Sequence, residues 1–243
     1  MSNQRAHGFG WRRLQVVAAF GVIGSLLVPM LIQLSFASFI LATAAPFAIG
    51  LVLMIRWPRV GALWLGVCSL GLLVFSAPFL AESLVRPESL ADFIPLSVYT
   101  LSTVVGTVAA IPSFSQGSAP DAPSRSARAI AVVAGALIMA AVVVSIAAFA
   151  GIESESARAG DIRVVAEDIE FLPSLLSGDG REMSVYVANR DETRHTFTID
   201  ELGVDLNVPP NSEQRVSFAA DPGTYTFYCR PHIPGMEGEL VVR

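Results

Sequence analysis

The hydrophobic residues of this chain follow two patterns, and the change between them falls after residue 152. Before that point, five apolar runs occur at residues 14–34, 36–55, 60–80, 93–114 and 130–152. Each run has the roughly 17–25 residues that a helix needs to cross the hydrocarbon core of a membrane. From residue 161 onward, apolar and polar residues alternate instead, as they do in half-buried strands. We therefore predict a membrane α-helical bundle of about five transmembrane helices, followed by an all-β domain.

The boundary between the first two runs is the least defined, because only Ser35 separates them. Two transmembrane helices joined by a tight turn fit this hydropathy, and so does a long re-entrant pair. We favour two transmembrane helices and keep the re-entrant pair as the alternative.

The arginines predict the orientation of the bundle, because cytoplasmic segments of membrane proteins are enriched in basic residues. If the N-terminal tail, residues 1–13, is cytoplasmic, seven of the eight arginines before residue 153 lie on the cytoplasmic side and only Arg86 lies outside. The seven are Arg5, Arg12, Arg13, Arg56, Arg59, Arg125 and Arg128. Five spans then place a short linker, residues 153–160, and the β domain, residues 161–243, outside the cytoplasm.

Composition and charge exclude several functions for the helical region. The chain is 53% hydrophobic and 15% charged, and its three histidines, His7, His195 and His232, all lie outside the apolar runs. A haem-binding bundle usually needs axial histidines, and a proton pump needs ionisable groups inside the membrane. The runs offer neither, so we expect no haem in the bundle. Residues 153–243 carry 17 acidic residues and 8 arginines, and we expect no nucleic-acid partner for them.

The alternating positions of the C-terminal part predict a small antiparallel β-sandwich of Greek-key type. Apolar residues alternate with polar ones over Met183–Val187, His195–Ile199 and Tyr225–Cys229. Turn residues separate such segments at Val208–Asn211 and Asp221–Gly223.

A set of metal-binding residue types lies at the end of this domain. Cys229, His232 and Met236 share one loop that contains two prolines and a glycine, and His195 lies upstream on the apolar face of a predicted strand. Taken singly, each of these residues could belong to an ordinary core. Together, one thiol, two imidazoles and one thioether form a donor set that favours copper. Cys68 lies inside an apolar run, so Cys229 is predicted to form no disulfide with it.

The residues around these ligands resemble the cupredoxin family, and most closely its plastocyanin-like and amicyanin-like members. The similar segments are residues 165–173, 187–191, 223–229 and 235–242. The resemblance implies a mononuclear copper with His195, Cys229 and His232 as equatorial ligands and Met236 as the axial ligand. The single cysteine in the loop and the shortage of further histidines argue against a binuclear copper centre and against multicopper enzymes. We recognise no family for the five-span region.

Three functions remain open. The first is one-electron transfer by a type 1 (blue) copper on the outer face of the cell membrane, with a redox protein as partner and no enzymatic step. The alternative is a membrane-anchored module for copper storage, delivery or sensing, with a copper-handling partner. The five spans could also be the functional part, with the copper domain as a sensor or docking head.

Overall fold

The computed structural model of the chain describes residues 9–32, 38–179 and 181–243. Within these residues it contains five long helices, followed by nine strands. The helices are α1 (Trp11–Ile32), α2 (Ser38–Arg56), α3 (Pro58–Ser83), α4 (Leu90–Gln116) and α5 (Arg125–Ala150). All five are long and apolar enough to cross a membrane. The predicted fold class is confirmed in that five long apolar helices are followed by a β-sandwich. The segment around Ser35, predicted as a tight turn or part of a re-entrant pair, lies outside the described residues.

Several helices extend beyond the apolar runs of the sequence, and at the start of α1 a polar group outside the hydrophobic segment binds the helix amides. Helix α1 begins at Trp11 rather than Leu14, and the Asp121 carboxylate accepts hydrogen bonds from the amides of Arg12 and Arg13 at 3.3 and 3.1 Å. A carboxylate at this position satisfies amides that the helix itself leaves unpaired. Hydropathy marks the part of a helix that suits lipid, whereas capping groups mark where the helix begins.

The nine strands form two sheets. They are β1 (Ile162–Glu167), β2 (Glu170–Leu172), β3 (Leu175–Gly178), β4 (Glu182–Asn189), β5 (His195–Ile199), β6 (Val204–Val208), β7 (Glu213–Ala219), β8 (Gly223–Tyr228) and β9 (Glu237–Val242). One sheet has the order β2-β1-β4-β7 and the other the order β3-β9-β8-β5-β6. Their buried faces share one hydrophobic core.

The sheets are mixed, which corrects the prediction of a purely antiparallel sandwich. Strand β1 pairs in parallel with β4, and β3 pairs in parallel with β9, while the remaining strand pairs are antiparallel. The chain reaches these parallel pairs by crossing between the sheets after β2. Alternation of apolar residues shows which face of a strand is buried but not the direction of its neighbour, so the sequence could not predict these pairs.

The central core of the sandwich is aromatic. Phe171, Phe197 and Phe227 are each no more than 2% exposed, and their ring centroids lie 4.9 to 6.0 Å apart. Edge-on and tilted contacts at these separations are favourable beyond the burial of the ring surface. The three rings belong to the same hydrophobic core as Cys229 and Met236.

Strand β5 differs from the sequence prediction of a half-buried strand, because all five of its residues are buried. Thr196 and Thr198, predicted to face solvent, are 3% and 0% exposed. The Thr198 hydroxyl lies 3.0 Å from the Thr196 hydroxyl and 2.9 Å from Asp205 Oδ1, so these polar side chains have partners inside the fold. When threonines alternate with apolar residues, the pattern predicts that the threonines are exposed, because their buried hydrogen-bond partners cannot be seen in the sequence.

The segment predicted as a linker, residues 153–160, is partly bonded to the sandwich. The Glu155 amide donates to the Glu213 carbonyl at 2.9 Å, and the Gln214 side-chain amide donates to the Glu153 carbonyl at 2.8 Å. These bonds run along the edge strand β7. The first residues of the segment are therefore an ordered part of the domain.

The β1–β2 turn consists of Asp168 and Ile169, which adopt left-handed backbone conformations with φ of 55° and 62°. Such a conformation costs an L-residue about 1–2 kcal/mol, and a β-branched side chain fits it poorly. The Ile169 side chain is 46% exposed, so its removal loses few packing contacts. We expect Ile169→Gly to raise the free energy of unfolding by about 1 kcal/mol.

Chemical denaturation, followed by the far-ultraviolet circular dichroism signal of the β-strands, would measure this change. Leu172→Gly is the matched control, because Leu172 is similarly exposed at 49% but lies in strand β2. That variant should lose stability, since glycine weakens a strand. Equal losses in both variants would show that the turn at Ile169 is unstrained.

Candidate metal centre

Three of the four predicted ligand residues come together at one end of the sandwich. His195 is the first residue of β5, Cys229 directly follows β8, and His232 ends a one-turn 3-10 helix, Arg230–His232. One ligand atom from each of the three lies within 4.8 Å of the other two. Strands β5 and β8 are antiparallel neighbours in one sheet, so the start of β5 and the end of β8 lie at the same rim.

The distances among these atoms suit a single metal ion. Cys229 Sγ lies 3.6 Å from His195 Nδ1 and 3.4 Å from His232 Nδ1. Two atoms bonded to one ion at about 2.0–2.3 Å, with an angle between tetrahedral and trigonal, are themselves about 3.5–3.7 Å apart. The imidazoles both present Nδ1, and their ring centroids are 4.9 Å apart. The three side chains can therefore hold one ion with little movement.

Backbone hydrogen bonds close the loop that carries Cys229, His232 and Met236. The Cys229 amide donates to the Met236 carbonyl at 2.9 Å, and the His232 amide donates to the Cys229 carbonyl at 3.1 Å. The Met236 amide in turn donates to the His232 carbonyl at 3.1 Å. A loop fixed in this way loses little conformational entropy when it binds a metal.

Met236, the predicted axial ligand, lies at the end of this closed loop, and its side chain is 1% exposed among the core residues of the sandwich. Its backbone is bonded to both Cys229 and His232. The loop therefore holds Met236 next to the three clustered residues. Coordination by its thioether stays a prediction.

The Cys229 thiol is buried, with 0% exposure. The Thr196 amide donates a hydrogen bond to its sulfur at 3.3 Å. Burial raises the pKa of this thiol, and the hydrogen bond from Thr196 opposes that rise only in part. Without a metal, the group is therefore protonated at neutral pH.

Both histidines of the cluster are held in the neutral form. Burial lowers the pKa of His195, and Asp191 opposes this effect by accepting a hydrogen bond from its ring. Burial and, to a smaller extent, the nearby His195 lower the pKa of His232 to about 4. Neutral imidazole is the form that binds metals, so both rings are ready for coordination at neutral pH.

The depressed pKa values predict that the metal-free domain loses stability on acidification. Between the ordinary histidine pKa of 6.5 and the value of about 4 for His232, the unfolded chain binds protons that the folded chain does not. Stability rises with pH wherever the unfolded state holds more protons. We therefore expect the metal-free protein to be less stable at pH 4.5 than at pH 7.

Denaturation curves of the β domain at a series of pH values would measure this slope. His232→Phe removes the titrating group while keeping an aromatic ring, so it should flatten the dependence between about pH 4 and 6.5. An unchanged slope in that variant would contradict the assignment to His232.

Sequence reasoning missed two side chains that organise the site, Asn189 and Asp191. Asn189 is fully buried, and its side-chain amide donates to the carbonyls of Thr193, Val208 and Pro209 at 2.9, 3.1 and 2.9 Å. Asp191 Oδ2 lies 2.7 Å from His195 Nε2. Both residues lie within residues 187–191, one of the segments that resemble cupredoxins, but the sequence alone assigned no role to either side chain.

The arginines near the ligand loop have partners within the domain. Arg190 pairs with Glu213 at 3.3 Å, and Arg230 pairs with Asp200 and Asp205 at 3.3 and 3.2 Å. Arg194 is only 6% exposed and donates to Asn207. These contacts satisfy the guanidinium groups within the domain.

Comparison with known proteins places the C-terminal part in a family. Residues 136–242 match the family model of the cupredoxin-like domain. The match begins within α5 and covers all nine strands.

Several solved structures are similar to part of the chain. An oxidised amicyanin variant is 26% identical over 38% of this chain and 90% of its own, with a TM-score of 0.30. A copper-containing nitrite reductase from Thermus scotoductus SA-01 is 20% identical over 38% of this chain, with a TM-score of 0.29, and the match spans only 24% of the reductase. The metal-binding domain of a Cu(I)-exporting P-type ATPase from Streptococcus pneumoniae D39 is 18% identical over 37% of this chain and 93% of its own, with a TM-score of 0.31. By the family match alone, the C-terminal part of this chain, residues 136–242, is a cupredoxin-like domain.

Proposed function

We propose that this chain is a membrane-anchored type 1 copper protein that transfers single electrons on the outer face of the membrane. The observation that carries the proposal is the cluster of Cys229 Sγ with Nδ1 of His195 and His232, at separations of 3.6 and 3.4 Å. A thiolate and two imidazoles in a trigonal arrangement, with a weak thioether, form a type 1 copper donor set.

The donor chemistry fits copper better than a hard cation. Magnesium and calcium prefer oxygen ligands, whereas the clustered atoms here are one sulfur and two nitrogens. In this proposal His195, Cys229 and His232 would hold the ion, and the Met236 thioether would be a further, weaker ligand. When bound, the copper would supply a one-electron redox couple.

The surrounding residues suit electron transfer because they keep the ligands in one arrangement. The ligand loop is closed by its own backbone bonds, and the Thr196 amide is directed at the Cys229 sulfur. A site with a fixed geometry needs little rearrangement between two oxidation states. Hydrogen bonds to the sulfur and the apolar surroundings of the site then set its reduction potential.

His232 is the ligand best placed to exchange electrons with a partner. It is partly exposed, whereas His195 and Cys229 are fully buried. Ile233, Pro234 and Gly235 follow it and are exposed, with Ile233 at 59%. This short apolar segment, residues 233–235, would form the docking surface for a redox protein. No catalytic step is proposed at the site.

The orientation in the membrane is part of the proposal. If all five helices cross the membrane and the N-terminus is cytoplasmic, the cupredoxin-like domain lies outside the cytoplasm. The arginine distribution in the sequence supports this direction.

Repeated redox cycling of the copper-loaded full chain tests electron transfer against copper storage or delivery. We expect rapid and reversible exchange with a small redox protein, with the copper-to-protein ratio unchanged after gel filtration. Loss of copper on reduction, or exchange only after copper release, would instead favour the delivery function. A chain that binds no copper would overturn both.

Copper binding should release protons, because the ligand thiol is protonated before the metal arrives. The raised pKa of Cys229 predicts the release of about one proton per copper at neutral pH, while the neutral histidines release none. Calorimetric titrations in buffers of different ionisation enthalpy measure this number. Copper binding without proton release would show that Cys229 is not the thiolate ligand.

A further inference from the structure

Asp191 lies behind His195, on the side of the ring away from the sulfur. It belongs to the connection between β4 and β5, and its Oδ2 is 2.7 Å from His195 Nε2. The other ring nitrogen, Nδ1, lies 3.6 Å from Cys229 Sγ. The imidazole of His195 is therefore held between a carboxylate and the predicted metal position, and it is 0% exposed.

The carboxylate of Asp191 is itself fixed by the β1–β2 turn. Its Oδ1 accepts a hydrogen bond from the Asp168 amide at 2.9 Å, and its Oδ2 accepts one from the Ile169 amide at 3.1 Å. The amide of Asp191 donates to Asn189 Oδ1 at 2.8 Å. The side chain and the backbone of Asp191 are thus both held, so the carboxylate cannot turn away from His195 without breaking these bonds.

A carboxylate at this position decides which nitrogen of the ring can bind a metal. An ionised carboxylate only accepts hydrogen bonds, so the bond at 2.7 Å places the ring proton on Nε2. Nδ1 then carries the free electron pair and faces Cys229. A partner of this kind fixes both the tautomer and the orientation of a metal-binding histidine.

The second histidine of the cluster lacks such a support. Among the residues that the structure describes, no side chain accepts a hydrogen bond from Nε2 of His232. The loop backbone positions His232 instead. The two histidines are therefore oriented by different means, which makes His232 an internal control for any effect of Asp191.

We propose that Asp191 is a positioning residue of the metal centre: anchored by the Asp168 and Ile169 amides, it fixes His195 with Nδ1 directed at the metal. The consequence for copper rests on the proposed function. The consequence for the ring of His195 holds in the metal-free protein as well, so the two can be tested separately.

The first measurement uses nitrogen NMR of the full chain labelled with 15N-histidine, without metal. The sequence contains three histidines, and a His7→Ala background leaves His195 and His232. We expect His195 to be a single tautomer with the proton on Nε2. In Asp191→Ala the His195 ring should become a mixture of tautomers, while the His232 ring keeps the tautomer it has in the parent protein. A His195 ring protonated on Nδ1 in the parent protein would overturn the proposal.

The second measurement is the Cu(I) affinity of the same variants, determined by competition with a chelator. Removing an outer partner of a metal-binding histidine typically weakens binding about 10–100-fold, and we expect a loss in this range for Asp191→Ala. Asp191→Asn keeps one oxygen that can accept from Nε2 but cannot accept all three hydrogen bonds, so its affinity should be intermediate. Ile169→Gly keeps both turn amides and should stay within about twofold of the parent.

The outcomes separate a positioning role from a structural one. Asp191 is only structural, and the proposal is wrong, if Asp191→Ala lowers stability but leaves the His195 tautomer unchanged and the Cu(I) affinity within twofold of the parent. If Asp191→Ala does not fold, the same comparison in Asp191→Asn decides. A parent protein that shows the expected tautomer but binds no copper would contradict the proposed function and leave the role of Asp191 in orienting the ring intact.

Discussion

Replacing Cys229 with serine is expected to abolish the intense visible absorption of the copper-loaded protein. That absorption arises from charge transfer between a thiolate and Cu(II), and a serine hydroxyl cannot replace the sulfur. Cys229 is the cysteine of the His195–Cys229–His232 cluster, and it is fully buried. The substitution exchanges one atom and retains the shape of the side chain, so the fold should persist.

Cys68→Ser is the matched control, because Cys68 is a free cysteine of helix α3. Absorption spectra of both variants, taken after loading with Cu(II) and removal of excess metal, measure the effect. The Cys68 variant should keep the spectrum of the parent protein. A Cys229 variant that stays coloured, or a parent protein without colour, would rule out a type 1 copper at this site.

Replacing Asn189 with alanine should lower the free energy of unfolding of the β domain by about 2–4 kcal/mol. Its side-chain amide donates to the buried carbonyls of Val208 and Pro209 and to the partly buried carbonyl of Thr193, and its oxygen accepts a hydrogen bond from the Asp191 amide. Alanine leaves these groups without their partner in a place that water does not reach. The connection that carries Asp191 would lose its anchor as well.

Gln214→Ala is the control for this prediction. Gln214 also donates from a side-chain amide to a carbonyl, that of Glu153, but this bond is exposed. Its loss should cost about 0.5 kcal/mol or less, because water replaces it. Equal effects of the two substitutions in chemical denaturation would show that Asn189 does not organise the loop.

The sequence was sufficient for the parts of this protein that depend on local patterns. Apolar runs of membrane-spanning length predicted the five helices, because hydropathy is a property of each segment alone. Cys229, His232 and Met236 lie within eight residues, so their proximity was evident without a fold. His195 was predicted to join them because it alternates with polar residues in the same way as Phe197 and Ile199 and therefore lies on the apolar face of their strand. The cluster in the structure agrees with this reasoning for His195, Cys229 and His232.

The parts that depend on which strands are neighbours could not be predicted in this way. The parallel pairing of β1 with β4 is not indicated by the sequence pattern of either strand. Thr196 looked exposed by alternation, yet it is buried, with its amide donating to Cys229 and its hydroxyl accepting the Arg230 amide at 2.9 Å. Asp191 contacts the turn at Ile169, 22 residues earlier in the chain. Such partners are set by the tertiary fold, and no local pattern marks them.

Copper-edge X-ray absorption of the copper-loaded full chain, combined with a copper count, tests the central claim most directly. We predict one copper per chain with one sulfur and two nitrogen ligands at about 2.0–2.3 Å, the range of metal–ligand bonds at such sites. The short sulfur contribution should disappear in Cys229→Ser. A copper bound only by nitrogen and oxygen, or more than one copper per chain, would contradict a mononuclear site built from His195, Cys229 and His232.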